Sequence, residues 1–305
     1  MTQQFDVAAL GSAAVDELVW VGAYPSADTK VPVLRRARLC GGVSATALVA
    51  ASRLGARAAY AGILGRSESS QFVLDALHGA GVDTSYVCDY PGATPAVSVI
   101  VLDETHKTRT ILYDISGFTG PDDDWLPAAL LRHTRLFMVD NFRMDLTIRA
   151  AHMARDAGAA ILGDLEDPTV ARRDELLALV DHLIVSRDYA SAVTGETDPR
   201  RAALKLHSPG RVVVVTCGAD GACYVGDDPP QEVVHQPAFA VEAVDTNGCG
   251  DVFHGAYAAA LVRGLTLGER VQFASAVAAL FATTPTGQQG IPNTADVDRF
   301  LKEHS

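Results

Sequence analysis

The sequence DTNGCGDVFHG at residues 245–255 predicts a tight turn that leads from a strand into a helix. The β-prone tetrad VEAV precedes it, and residues 252–261 are rich in alanine and other apolar side chains. Gly248 and Gly250 allow the backbone to bend and leave room for a ligand beside the main chain. The amides of Gly248, Cys249 and Gly250 can then point together at an anion, with the positive end of the helix dipole behind them.

Asp251 follows this turn and stands in the first turn of the predicted helix. A carboxylate beside a phosphate repels it, so Asp251 contributes nothing to phosphate binding. A carboxylate at this position is explained if it accepts the proton of a hydroxyl that attacks a phosphoryl group. The alternative is an ordinary strand-to-helix turn. Two other phosphate-binding motifs are excluded, because Phe253 stands where GxGxxG needs its third glycine and no GxxxxGK[ST] occurs in the chain.

The composition indicates a globular protein with a large core. The chain has 305 residues, of which 48% are hydrophobic and 20% charged, with a net charge of −12. This charge argues against a nucleic-acid partner. The five cysteines are scattered and form no CxxC pair, so we expect neither a disulfide framework nor a zinc site. We expect a cytoplasmic protein, because no basic n-region of a secretory signal and no membrane-length apolar run occur.

The order of the predicted elements indicates an α/β fold. Residues 5–13 form a first buried strand, residues 41–54 a small-residue helix, and residues 57–64 another strand. From residue 122 onward, starting with a helix over 122–132, helices alternate with apolar strands, which is typical of a parallel sheet with helices on both faces. Residues 94–102 and 108–115 flank the turn DETHK as a hairpin.

Two segments are expected to form a small β-sheet that stands apart as a lid. They cover residues 17–39 and 94–118, and the large domain comprises residues 1–16, 40–93 and 119–305. Ligands of open α/β sheets lie beyond the carboxyl ends of the strands. Several polar or glycine-rich positions fall there: Asp16, Gly41, Gly42, Asp140, Asn141, Asp164, Ser186, Thr216, Gly218 and the turn at 248–250.

The stretch DTNGCGDVFHG resembles the C-terminal signature DTxGAGD of the PfkB/ribokinase family of sugar kinases, with Cys249 in place of the usual alanine. The remainder of the chain supports this resemblance from about residue 5 to residue 300. It implies a ribokinase-like fold, a parallel-sheet sandwich with a β lid. It also implies an ATP- and Mg²⁺-dependent transfer of a phosphoryl group to a sugar, with Asp251 as the base and the 248–250 amides stabilising charge.

The resemblance also implies the positions that bind the sugar. The family's GG motif corresponds to Gly41 and Gly42, which hold sugar hydroxyls together with Asp16 upstream. Thr46 stands where the family often has asparagine.

The nucleotide positions are implied in the same way. Thr216, Gly218 and Gly221 resemble the TxGxxG loop that approaches ATP, and Ala279 lies in a stretch that resembles the adenine-packing helix. Ser186, Asn247, Gly248 and Gly250 complete the expected nucleotide contacts. The family's NxxE motif, which is linked to magnesium through water, is missing at residues 186–189. K⁺ is a further candidate ion, with Asp245 as a direct or indirect contact and the loop 287–290 nearby.

Two branches of the family are similar to this chain in the segments that choose the sugar. VGAYPSADTKV and TRTILY resemble ketohexokinase, in which an acid at the position of Asp28 helps to bind the ketose. GGVSATALVAASRLGA and GDVFHGA resemble sulfofructose kinase. Both branches phosphorylate a ketose at C1. The candidate contacts for an anionic sugar are Lys30, Arg109 and Arg143, although Tyr113 replaces an asparagine of the sulfofructose kinases. Asn141 is a further candidate sugar contact. The substrate could be a neutral ketose or one that carries a 6-phosphate or a 6-sulfonate, and the sequence leaves these alternatives open.

The expected partners are the sugar, ATP and a second copy of the chain, since the lid of relatives often pairs in a homodimer. Two alternatives to the ketose kinase are kept. One is a kinase of nucleosides or other small alcohols on the same fold. The other is a sugar- or nucleotide-binding protein without turnover, which would not need Asp251.

Overall fold

The computed structural model describes residues 4–106, 108–121, 125–226, 232–285 and 287–304, and these form a large α/β domain with a smaller β-sheet. The large sheet has eight strands in the order β14-β13-β12-β11-β10-β9-β1-β4. Its six strands from β12 to β4 are parallel, and β13 and β14 continue the edge in antiparallel pairing. The prediction of a largely parallel sheet with helices on both faces is confirmed.

The strands of the large sheet are β1 (Phe5–Leu10), β4 (Ala58–Tyr60), β9 (Thr134–Val139), β10 (Ala160–Asp164), β11 (His182–Ser186), β12 (Val212–Thr216), β13 (Ala222–Val225) and β14 (Val234–Gln236). The helices are α1 (Val43–Arg53), α2 (Glu68–Gly79), α3 (Ala128–Leu131), α4 (Met144–Asp156), α5 (Arg173–Leu177), α6 (Arg187–Thr194), α7 (Pro199–Leu206), α8 (Cys249–Val262), α9 (Leu267–Ala282) and α10 (Thr294–Glu303). The helix predicted over 122–132 includes residues 122–124, which lie outside the described residues.

Alternate residues of the central strands pack into two separate cores. Val7 and Ala9 of β1 belong to the core under α1, α8 and α9, whereas Ala8 and Leu10 belong to the core under α3 to α7. Because strand side chains alternate between faces, a strand buried on both sides must be apolar throughout. This explains the continuous apolar runs that marked these strands in the sequence. None of the helices in the described ranges has the length and hydropathy needed to span a membrane.

The smaller sheet, here called the lid, contains four strands in the order β3-β2-β7-β8. They are β2 (Ala14–Val21), β3 (Val33–Gly41), β7 (Ala96–Asp103) and β8 (Thr108–Asp114). β2 and β3 extend beyond the expected residues 17–39, so Asp16 and Gly41 both lie on lid strands. The predicted strand 57–64 is interrupted, because β4 pairs with β1 whereas β5 (Ile63–Leu64) pairs with β6 (Cys88–Asp89) in a separate ribbon.

Candidate active site

The turn before α8 has the geometry of an anion site. Gly248 caps the helix with a left-handed backbone, φ 77°, which glycine adopts without strain. Cys249, Gly250 and Asp251 form the first turn, where amides have no acceptor within the helix. A Cβ added to Gly250 would meet no atom within 4 Å, so the space in front of this turn is open. The open helix start can therefore receive a phosphate.

Asp251 lies on this first turn in the midst of other carboxylates. Burial raises its pKa well above the ordinary value, and the charges of Asp164, Glu166, Asp16 and Asp140 raise it further. A carboxylate with a raised pKa is a stronger proton acceptor than an ordinary one once it is ionised. The arrangement therefore suits Asp251 to general-base chemistry, provided that it is ionised at the working pH.

Asp16 and Gly41 meet where β2 and β3 enter the large domain. The Asp16 carboxylate covers the Cα of Gly41 so closely that a Cβ on residue 41 would lie 2.1 Å from Asp16 Oδ2. Burial raises the pKa of Asp16, and a hydrogen bond from Ser98 on the neighbouring strand opposes this. Gly42 follows as the cap of α1. The structure thus brings three of the predicted sugar contacts together.

Thr46 connects the sugar side of the site to the anion-binding turn. Its side chain is buried on α1, and Oγ1 accepts a hydrogen bond of 3.0 Å from Gln288 Nε2. Its methyl carbon lies 3.9 Å from the position that a Cβ on Gly248 would occupy, and Asp251 Oδ2 lies 3.8 Å from the same position. Gln288, which sequence reasoning did not single out as a contact, therefore orients the Thr46 hydroxyl.

Asp140 organises the start of α1. Its buried carboxylate accepts hydrogen bonds from the Ser12 amide (2.7 Å) and hydroxyl, the Ser44 hydroxyl and the Phe142 amide. These donors tie together the ends of β1 and β9 and the first turn of α1. Because the chain itself satisfies this carboxylate, Asp140 has a structural role: it stabilises the start of α1, which Gly42 caps.

Asn141 and Arg143 follow Asp140 but point to different places. Asn141 Oδ1 accepts the amides of Glu166 and Asp167, and its buried Nδ2 has no partner among the described residues. The Nδ2 group therefore keeps unused hydrogen-bonding capacity next to the end of β9. Arg143 Nη2 donates to the carbonyl of Pro121, so its guanidinium lies against the segment that connects the lid to the large domain.

The three other predicted contacts come from the lid. Arg109 on β8 reaches the catalytic turn, where its Nη1 donates to Thr246 Oγ1 at 3.2 Å. Asp28 and Lys30 are exposed in the loop beyond the far end of β2. At ~3.3 Å per residue, the five steps from Asp16 to Val21 alone span roughly 17 Å. Asp28 and Lys30 are therefore separated from the Asp16 side of the site within one chain.

A cavity of about 470 Å³ opens on the other side of the catalytic turn. Its lining includes six of the predicted residues: Thr216, Gly218, Gly221, Cys249, Gly250 and Ala279. Sequence reasoning missed the apolar wall formed by Phe239, Val241 and Phe253. The run AFAVEAV before the motif was the available signal, because it places apolar side chains next to a phosphate turn. A flat apolar slot that leads to an anion site suits a purine nucleotide.

The remaining predicted residues have structural partners. Ser186 caps α6 by accepting the amide of Tyr189, and Asp245 Oδ1 accepts the amide of Asn247. Tyr189 is buried, with 3% of its surface exposed. Positions 186 and 189 therefore do not fit a direct role in holding magnesium. In the described ranges, no group of three or more histidine, cysteine, aspartate or glutamate side chains could hold a metal ion.

A largely parallel sheet with an anion-binding helix start, an adjacent acid and a cavity beside the turn is the arrangement expected of a phosphotransferase with an alcohol acceptor. Residues 6–294 match the pfkB family carbohydrate kinases, so the chain belongs to this family and is a sugar or nucleoside kinase.

Individual relatives are similar over nearly the whole chain. A nucleoside kinase of Methanothermobacter thermautotrophicus is 25% identical, with 99% of this chain and 98% of that protein aligned. A crystal structure of a candidate ribokinase from Agrobacterium tumefaciens is 27% identical with a TM-score of 0.90, covering 98% of both chains. A candidate ribokinase II from Escherichia coli, in complex with ATP and Mg²⁺, is 20% identical with a TM-score of 0.82, covering 98% of this chain and all of that one.

Proposed function

We propose that the protein transfers the γ-phosphoryl group of ATP to a primary hydroxyl of a ketose, C1 of a fructose-like sugar. The observation that carries this proposal is the meeting of two elements over Gly248. The methyl carbon of Thr46 on α1 lies 3.9 Å from the position that a Cβ on Gly248 would occupy, and Asp251 Oδ2 on α8 lies 3.8 Å from the same position. A hydroxyl held by the sugar side would therefore lie between the base and the anion-binding turn.

The chain's own residues divide the work of the reaction. Asp16 and the backbone at Gly41 and Gly42 accept and orient sugar hydroxyls. Asp251 takes the proton from the attacking hydroxyl, and the amides at residues 248–250 stabilise charge on the transferring phosphoryl group. Orientation of the two reactants accounts for much of the rate, since phosphoryl transfer needs little covalent help from the protein.

The cavity of about 470 Å³ would hold the nucleotide, with the base against Phe239, Val241 and Ala279. Magnesium would arrive bound to the ATP phosphates, where it would neutralise their charge, since the part of the chain that the structure describes contains no cluster of ligands that could hold the ion alone. K⁺ is a candidate activator near Asp245. Equal rates of ATP turnover in potassium chloride and choline chloride would show that the enzyme does not need it.

The branch of the family is inferred from the residues that surround the sugar. A 6-phosphate or 6-sulfonate would need a cation at the far end of the sugar, whereas Arg109 reaches from the lid to Thr246 beside the anion-binding turn. Arg143 donates to the Pro121 carbonyl through Nη2, and its buried Nη1 has no partner among the described residues, so this arginine leaves both a neutral and an anionic ketose open. A nucleoside is the second candidate acceptor, supported by the similarity to a nucleoside kinase and by the ability of Asp16 to accept a ribose diol.

We further propose that the chain works as a homodimer through the lid. The lid exposes several large apolar side chains: Val33, Leu34, Ile111, Leu112, Tyr113 and Ile115. Asp28 and Lys30 would reach a sugar from the partner copy, since their own site lies at the other end of β2. Analytical ultracentrifugation at micromolar concentration tests this, and a monomer at all concentrations would contradict it.

A substrate panel tests the proposed function. ATP turnover is measured with fructose, tagatose, fructose 6-phosphate, 6-deoxy-6-sulfofructose, ribose and adenosine. We expect one ketose to give the highest kcat/KM, with the phosphate found on C1 by NMR. A preference for ribose or adenosine would replace the ketose by the second candidate. Absence of turnover with every acceptor would contradict the proposal.

A further inference from the structure

His254 lies behind the catalytic turn with both ring nitrogens facing carbonyl oxygens. It stands on α8 with 4% of its surface exposed. Its Nδ1 is 2.8 Å from the carbonyl oxygen of Gly250, and its Nε2 is 3.0 Å from that of Ile184 on β11. A carbonyl oxygen only accepts hydrogen bonds, so each contact needs a hydrogen on the nitrogen. A neutral imidazole has one N–H, whereas an imidazolium has two.

The first of these contacts is common to other histidines of the chain, but the second is not part of that pattern. His133 and His304 follow the ends of α3 and α10, and Nδ1 of each also lies 2.8 Å from the carbonyl oxygen four residues earlier. A neutral tautomer satisfies that single contact. What distinguishes His254 is the further contact of Nε2 with the sheet, which a ring protonated only on Nδ1 could not make.

A carboxylate lies where it can balance the charge of such a ring. Asp164 Oδ2 is 3.1 Å from His254 Nδ1 and has no hydrogen-bond partner among the described residues. Burial favours neutral partners: it raises the pKa of Asp164, and it lowers the pKa of His254 by more than the two carbonyls and Glu166 raise it. A neutral ring, however, would turn a lone pair towards a carbonyl oxygen at 2.8 or 3.0 Å.

We propose that His254 is an imidazolium paired with the Asp164 carboxylate, and that it positions and charges the catalytic turn without touching substrate. Its ring connects the end of β11 to the Gly250 peptide, which belongs to the anion-binding turn. Asp251 lies three residues earlier on the same helix, so the two side chains occupy neighbouring positions on one face.

The charge has a consequence for the base. The groups that surround His254 and Asp251 are acidic on every side: Asp164 at the end of β10, Glu166 after it, Asp140 after β9, and Asp16 on β2. A positive ring among them favours the ionised form of Asp251, which must be ionised to accept a proton. This catalytic consequence depends on the proposed kinase function, whereas the ionised pair itself does not.

The ionised pair is tested in the free enzyme by ¹⁵N NMR of the full chain labelled on its nine histidine rings. His254→Gln identifies the resonances of His254 by their loss, and Asp164→Asn identifies the same resonances by a shift if the first variant folds poorly. We expect both nitrogens of His254 to be protonated at pH 8, where exposed histidines are neutral. A neutral tautomer at pH 8 would overturn the proposal, whatever substrate the enzyme uses.

The positioning role is tested by the pH profile of kcat/KM. Removal of the positive ring in His254→Gln should move the acidic limb upward by about one pH unit, since Asp251 loses its nearest favourable charge. His133→Gln, which removes a ring with the same helix contact outside the site, is the matched control and should leave the limb in place. A fall in kcat of His254→Gln with an unmoved limb would overturn the charge effect.

Discussion

The carboxylate of Asp16 and the Cα of Gly41 are in direct contact across two lid strands. A Cβ on residue 41 would stand 2.1 Å from Asp16 Oδ2, closer than any real contact allows. Asp16 pairs with Leu39 on β3 and with Ser98 on β7, so its backbone cannot move away easily. The Asp16 carboxylate, which we propose binds the sugar, therefore keeps its position because residue 41 has no side chain.

Gly41→Ala should consequently displace the Asp16 carboxylate and weaken sugar binding. We expect the KM for the sugar to rise at least ~10-fold, the loss of roughly one charged hydrogen bond, with the KM for ATP unchanged. Gly79→Ala is the matched control, because a Cβ there meets no atom within 4 Å. Steady-state kinetics with each substrate varied decide the matter, and an unchanged sugar KM would contradict the contact.

Gly255 sets the distance between the sugar helix and the catalytic helix. A Cβ on Gly255 would lie 2.1 Å from the carbonyl oxygen of Ala47 on α1, an atom that cannot rotate away. Gly255→Ala should therefore push α1 from α8 and destabilise the fold by ~1–3 kcal/mol, as overpacking does. Urea unfolding measures this loss, with Gly79→Ala again as the control. A stability equal to that of the natural chain would show that the helices can separate freely.

The acidic limb of the pH–rate profile should lie above that of an ordinary aspartate. Asp251 must be ionised to act as the base, and burial together with neighbouring carboxylates raises its pKa from 3.8. Activity is therefore lost as the pH falls through this raised pKa. Glu166→Gln removes one of those charges and should move the limb of kcat/KM to lower pH. Glu303→Gln changes an exposed residue at the end of α10 and should leave the limb in place. A limb that moves to higher pH in Glu166→Gln would contradict the assignment of Asp251 as the base.

Arg109 lies on the phosphate side of the proposed site. A residue that contacts the far end of the sugar would lie on the opposite side. Its Nη1 donates to Thr246, which lines the nucleotide cavity. Arg109→Gln should thus lower kcat/KM at least ~10-fold for neutral and anionic sugars alike, as loss of electrostatic stabilisation does. Arg36→Gln, on the exposed part of β3, is the control. A loss confined to 6-phospho or 6-sulfo sugars would assign Arg109 to the sugar instead.

The fold and the catalytic turn could be predicted because their signals are local. Alternating apolar strands and helices indicate a parallel sheet, and DTNGCGD contains its own turn, helix start and acid. Contacts between distant segments gave no such signal. Gln288 meets Thr46 across 242 positions of sequence, and Glu166 enters the site through the amides that Asn141 holds.

His254 illustrates the same limit more sharply. In the sequence it is one polar residue in an apolar helix, and a buried histidine is a common core residue. Its three neighbours are the Gly250 carbonyl on its own helix, the Ile184 carbonyl on β11 and the Asp164 carboxylate at the end of β10. Only the packing of α8 against the sheet brings these acceptors around one ring.

The central claim is that Asp251 accepts the proton of the attacking hydroxyl. Asp251→Asn keeps the size of the side chain and removes its basicity. It should also fold well, because an ionised carboxylate with a raised pKa destabilises the folded state as the pH rises through that pKa. An unfolding temperature at pH 8 no lower than that of the natural chain serves as the control.

The measurement is kcat of Asp251→Asn with ATP and the best ketose at saturating concentrations. We expect a loss of at least ~10²-fold with both KM values nearly unchanged, as for removal of a general base. A kcat within about threefold of the natural enzyme would contradict the account, because removal of a general base costs far more than that.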